Sequence, residues 1–188
     1  MNKIKTIYDV VKKMKDKDSF KGTLKAEGLK DQEKIFSVNN TFERSSKDGE
    51  LHSFHEHHHG VYTVGVKEGV GRLMTVLGIL SSIKLDENKD GSAVLTLKSA
   101  DIPQDIRNTI HEKMKNAREQ HKHMGENDQQ HIFMKEFHDM ENSDFALNVY
   151  INKDREIDRV TVDVKGEQKD DNNERHGMKL AAELCLEW

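Results

Sequence analysis

The chain has 188 residues, a net charge of −4 with histidine neutral and a mean hydropathy of −0.85; apolar and charged residues each make up 34%. That length suits one domain, and so small an apolar share excludes a thick two-sided core in favour of thin layers or an open sheet with one wet face. The acidic balance argues against nucleic acid as a partner, no stretch approaches the ~20 apolar residues of a membrane helix, and the lone Cys185 excludes an internal disulfide or a cysteine-based zinc site.

Residues 1–17 are lysine-rich and hold no apolar leader segment. Within them Ile4, Ile7, Tyr8, Val11 and Met14 recur at three- and four-residue steps, which predicts a helix with one apolar face. The period then drops to two. Phe20, Gly22, Leu24 and Ala26 alternate with polar residues, as do Phe36, Val38 and Phe42, with a turn at 30–33 between the runs. This predicts a hairpin with one buried and one wet face. A second turn at 47–50 feeds a predicted third strand over 51–58. Residues 60–71 carry Gly60, Gly65, Gly69 and Gly71 and read as a bent strand or loop.

The most apolar run, 73–80, places Leu73, Val76, Leu77 and Leu80 on one side of a predicted helix; a buried strand is the alternative. Residues 83–85 and 93–97 predict another hairpin. Asp101 just before Pro103 is a helix-start signal, and Ile102, Ile106, Ile110 and Met114 then repeat every four residues in a helix ending near 120. Residues 121–130 read as a loop. The final third alternates most clearly: Leu147, Val149 and Ile151, then Val160, Val162 and Val164, then a polar connection over 166–175. Met178, Leu180, Ala182, Leu184, Leu186 and Trp188 close the chain on one face of a last strand. The pattern predicts an α+β fold in one domain spanning 1–188: an antiparallel sheet with a few helices on one face.

This layout resembles the lipoprotein-carrier superfamily that includes LolA, LppX and RseB. The resemblance rests on the amphipathic helix at 4–14, the strand opening Ser19-Phe20-Lys21-Gly22-Thr23-Leu24, and helical insertions at 73–80 and 103–120. A closing meander completes it: Leu147-Asn148-Val149-Tyr150-Ile151-Asn152-Lys153-Asp154, then 157–166, then 178–188. It implies a strongly curved antiparallel sheet, a half-barrel with a few helices on its concave face, whose cavity takes acyl chains or docks a partner's peptide. No leader or lipobox cysteine stands in this sequence. The resemblance therefore implies an extracytoplasmic location in the cell envelope if a leader or membrane anchor was removed, and a cytoplasmic one otherwise.

A bent sheet covered by few helices leaves an apolar hollow unless the same side chains fill it. Met14, Leu73, Leu77, Leu80, Ile106 and Ile110 are the candidate hollow-facing residues, and a lipid-like ligand or an apolar partner segment is the predicted guest. The function expected is non-enzymatic. The glycines at 65, 69 and 71 lack the Lys-Ser/Thr of a phosphate loop, and no Gly-x-Ser-x-Gly elbow occurs. Cys185 falls on the outer face of its strand, and the turn at 86–91 lacks the EF-hand pattern.

Two other readings compete. His52-Ser53-Phe54-His55-Glu56-His57-His58-His59 on a strand puts His55, His57 and His59 on one side, where neutral imidazoles suit Zn²⁺, Ni²⁺ or Cu²⁺. The same segment reads as a pH-responsive patch or as an exposed segment without a dedicated role. Eleven histidines, fully protonated, carry the net charge from −4 to +7. A looser set, His121, His123, Met124, His131, Met134, His138 and Met140, reads as a copper site or, more simply, as a loop with core methionines. The third reading is a regulatory module that docks a protein through a sheet edge or through 60–71.

Overall fold

The two-residue periodicity resolves into a single sheet. The computed structural model describes residues 3–15, 17, 19–45, 77–104, 106–108, 133, 136–137, 140–170 and 172–188. After helix α1 (Lys3–Lys15) come β1 (Ser19–Lys30), β2 (Glu33–Ser45), β3 (Lys84–Glu87), β4 (Ala93–Lys98), β5 (Glu141–Ile151), β6 (Ile157–Lys169) and β7 (Arg175–Glu187). The seven strands are ordered β2-β1-β7-β6-β5-β4-β3 and every neighbouring pair is antiparallel. A short 3-10 turn, Ser99–Asp101, follows β4, and helical geometry recurs at 77–82, at 104 and 106–108, and at 133 and 136–137. The architecture is α+β: one open antiparallel sheet with a few short helices. The expected strand at 51–58, the bent segment at 60–71, the helix end near 120 and the loop at 121–130 lie outside the described residues.

Turn chemistry fixes the hairpins. Asp31 and Gln32, both at positive φ (49° and 70°), form the two-residue turn between β1 and β2. The other three connections repeat one five-residue loop at 88–92, 152–156 and 170–174. In each, the first N–H donates to the fifth C=O, at 2.8, 2.9 and 3.0 Å respectively. The fourth residue, Gly91, Arg155 or Asn173, takes the left-handed φ this loop demands. A side-chain carboxyl or amide oxygen closes each loop. Asp90 accepts from the Ser92 N–H, Asn152 from those of Asp154 and Glu156, and Asp170 from those of Asn172 and Glu174.

The last of these loops corrects the expected polar connection at 166–175. β6 runs on to Lys169 and β7 starts at Arg175, so only the loop itself is unpaired. Polar residues extend the ladder because their side chains meet across it, as Arg175 Nη1 meets Glu167 Oε2 at 3.1 Å.

One face of the sheet is apolar, and two clusters cover parts of it. The first joins Phe133, Phe137, Met140 and Met178 with Phe36, Val164 and Leu180. Phe36 and Phe133 meet edge-on at 5.2 Å, and Lys30 reaches both carboxylate oxygens of Glu136 at 3.0 and 2.8 Å. Met140, for which a core methionine in a loop is one of the two expectations, is a buried member of this cluster. The second joins Val10, Ala93 and Ile151 with Met14, Leu85, Leu95, Val149 and Ile157.

Helix α1 is where expected, but its roll differs. Thr6 and Val10 are its buried residues, whereas Ile4, Tyr8 and Val11 of the expected apolar face point outward. The apolar arc is wider than the contact, and the helix turns its small Thr6 inward beside Val10. Lys3 Nζ ties its start to the carbonyls of Ser81 (3.1 Å) and Ile83 (2.8 Å).

Two substitutions test this account. Gln32→Gly relieves a left-handed side chain in an exposed turn, and stability rises by about 0.5–1 kcal/mol in urea titration. Gly28 lies directly under the rings of Phe36 and Phe133, so a methyl there must displace them. Gly28→Ala lowers stability by about 1–3 kcal/mol in the same titration.

Candidate functional site

Register aligns the apolar face into rows. One row crosses six strands: Val38, Ala26, Ala182, Val162, Leu147 and Leu97, each directly opposite the next. On one side of it run Leu24, Leu184 and Val160, and on the other Gly28, Leu180 and Val164. Its second and third members, on β1 and β7, are alanines, so larger neighbours flank a short floor of small side chains there. All six row residues are half-buried, and none belongs to either packed cluster. Five inter-strand steps of about 4.8 Å make the row about 24 Å long.

The structure scatters the candidate hollow-facing residues. Met14 is half-buried against the Val10 cluster. Leu80 is half-buried, and Leu77 is 51% exposed. Ile106 is buried and lies over Gly78, which joins the 77–82 helix to the helical residues after Pro103. Leu73 and Ile110 lie outside the described residues, as do His55, His57 and His59. Two hollows of about 610 and 340 Å³ open elsewhere. Asp31, Lys165, Glu167 and Lys179 line the larger, and Lys21, Glu43 and Glu187 the smaller.

A polar constellation unseen in the sequence stands where the β1–β2 and β6–β7 turns meet. Donor atoms of Asp170, Glu174 and His176 lie within 4.8 Å of one another. His176 Nδ1 is 2.7 Å from Asp31 Oδ2, and its Nε2 is 3.8 Å from Asp170 Oδ2. Asp31 Oδ1 accepts from the Gly177 N–H at 2.8 Å. A carboxylate at Asp31 requires the proton on Nδ1, which directs Nε2 toward Asp170. Two carboxylates and an imidazole are a donor set that Zn²⁺ accepts, in competition with the proton. The hydrogen bond to Asp31 raises the His176 pKa above its ordinary value, and the bond from His176 followed by that from Gly177 lowers the Asp31 pKa. The only local clue was the Asp170-x-x-x-Glu174-x-His176 spacing; Asp31 is far away in sequence.

A raised histidine pKa contributes stability that is fully present below the unfolded value of about 6.5 and is lost as pH climbs through the folded value. The lowered Asp31 pKa contributes in the opposite sense. Its share is present above the unfolded value of about 3.9 and is lost as pH falls through the folded value. The pair therefore stabilises most between those limits. The melting temperature of the native chain, relative to His176→Gln, declines from pH 6 to pH 9 in thermal denaturation.

No family model, curated protein or solved structure matches this chain, so its reading rests on its own residues.

Proposed function

We propose that this chain is a non-enzymatic binding protein that holds an alkyl chain, of a lipid or of an apolar partner segment, along the row from Val38 to Leu97. The observation supporting it is the row itself: six apolar side chains in register, small on β1 and β7, with none of the six in either packed cluster among the described residues. An acyl chain reaches about half of a bilayer's ~30 Å hydrocarbon core, so it lies within a trough of about 24 Å. Each methylene it buries contributes about 0.8 kcal/mol. A bent sheet, as in the lipoprotein carriers that the layout resembles, would deepen the trough along this row. The same resemblance supplies the ligand class and a setting in the cell envelope. The flanking leucines, Leu24 and Leu184, give the walls, and the alanines give the clearance.

Filling the floor tests the reading. Ala182→Leu lowers affinity for a fluorescent fatty acid about tenfold, equivalent to about 1.4 kcal/mol, because the added side chain occupies the ligand's volume. Ala181→Leu, on the opposite face of the same strand, leaves it unchanged. Equal effects of the two substitutions, or no binding by the native chain, refute the proposal. Native mass spectrometry of protein purified without metal resin shows a co-purified lipid mass if the trough is loaded in the cell.

A further inference from the structure

We infer that the outward face of α1 is a docking surface for an anionic lipid membrane. The inference stands on α1 alone and does not require the alkyl-chain reading. Thr6, Val10 and Met14 turn toward the sheet, which leaves a second apolar stripe facing away. Ile4, Tyr8 and Val11, one turn apart along the helix, are 67%, 65% and 49% exposed. Exposed large apolar side chains in register on one helix mark an interaction surface rather than chance exposure. The Lys3 bonds to the Ser81 and Ile83 carbonyls bring the exposed Leu77 turn to the same end of the helix.

Charge chooses the occupant. α1 carries Lys3, Lys5, Lys12, Lys13 and Lys15 against a single acid, Asp9, in a chain whose net charge is −4. Lys5, Lys12 and Lys15 are exposed and border the stripe, and among the described residues none has a carboxylate partner. Lysines beside a short apolar stripe are the arrangement of a helix that lies in the headgroup layer. There the stripe enters the acyl boundary, and the ammonium groups meet lipid phosphates and carboxylates. A tyrosine at the stripe's edge suits that depth, its ring apolar and its hydroxyl wet. No helix among the described residues is long and apolar enough to cross a bilayer, so the contact inferred is with the surface.

Co-sedimentation of the full chain with vesicles tests this. The native chain sediments with phosphatidylserine–phosphatidylcholine vesicles and not with phosphatidylcholine alone, and raised salt releases it. Tyr8→Ser with Val11→Ser weakens binding about tenfold, and so does Lys12→Glu with Lys15→Glu. All four side chains are exposed, and unchanged thermal melts confirm that both variants fold. Equal sedimentation with neutral and anionic vesicles overturns the inference, as does no sedimentation at all. So does a concentration-dependent dimer that Tyr8→Ser disperses, since the stripe would then meet a second copy of the chain.

Discussion

Strand β1 lies against β7 from Lys21↔Glu187 to Lys30↔Met178, which joins the two ends of the chain in the middle of the sheet. Closing a loop of about 150 residues costs about 4–5 kcal/mol in chain entropy, so the pairing forms only if its register is strongly favoured. Polar bonds hold one end: the Asp31 N–H donates to the Gly177 C=O at 2.8 Å, and the Asp31 carboxylate receives His176 and the Gly177 N–H. Aromatic contacts hold the other. Trp188 packs on Phe20 at 5.2 Å while its indole N–H donates to the Ile157 carbonyl. A slip of one residue would turn Lys179, Glu183 and Glu187 onto the apolar face.

That register is what creates the candidate site. Ala26 and Ala182 are ordinary strand residues until β1 meets β7, when they become directly opposed. The same alignment sets Leu24 against Leu184 and Gly28 against Leu180, and so builds walls on either side. Gly28 serves the first cluster as well, because its missing side chain lets the Phe36 ring cross β1 toward Phe133. The two clusters meet β6 at its first residue, Ile157, and near its middle, at Val164. Val160 and Val162 lie between them. Among the described residues, neither cluster includes those two valines.

Strands with a wet face were legible in the sequence, because strict alternation, as over 178–188, leaves one period that fits. Loops at 88–92 and 152–156 were legible through their Asn, Asp and Gly chemistry. The roll of α1 was not. Its apolar residues span a wide arc, and which part of that arc turns inward is decided by packing against Ala93 and Ile151, far away in sequence. Phe133, Phe137 and Met140 have a helical step of four and three residues. Histidines, lysines and acids stand among them, and the segment that holds them fits a copper site or a loop with core methionines as its sequence reading, so the helical step does not stand out. Asp31 and His176 carry no local mark of each other, since only the β1–β7 pairing makes them neighbours. The row shares that limit: its alternation was visible in each strand, but its pair of opposed alanines is a property of two strands in register.

A single sheet with so few apolar residues has a definite choice about where to leave its apolar face thin. Covering alanines returns little, because an exposed methyl gains far less from burial than a leucine or phenylalanine side chain. The clusters accordingly gather on Phe36, Met178, Leu180 and Ile151, where coverage is most favourable, and omit Ala26 and Ala182. An alkyl guest changes that balance, since its own methylenes supply most of the apolar area that leaves water. The same scarcity acts on α1: its inner arc suffices to hold it to the sheet, and the remainder of its apolar surface faces outward among lysines.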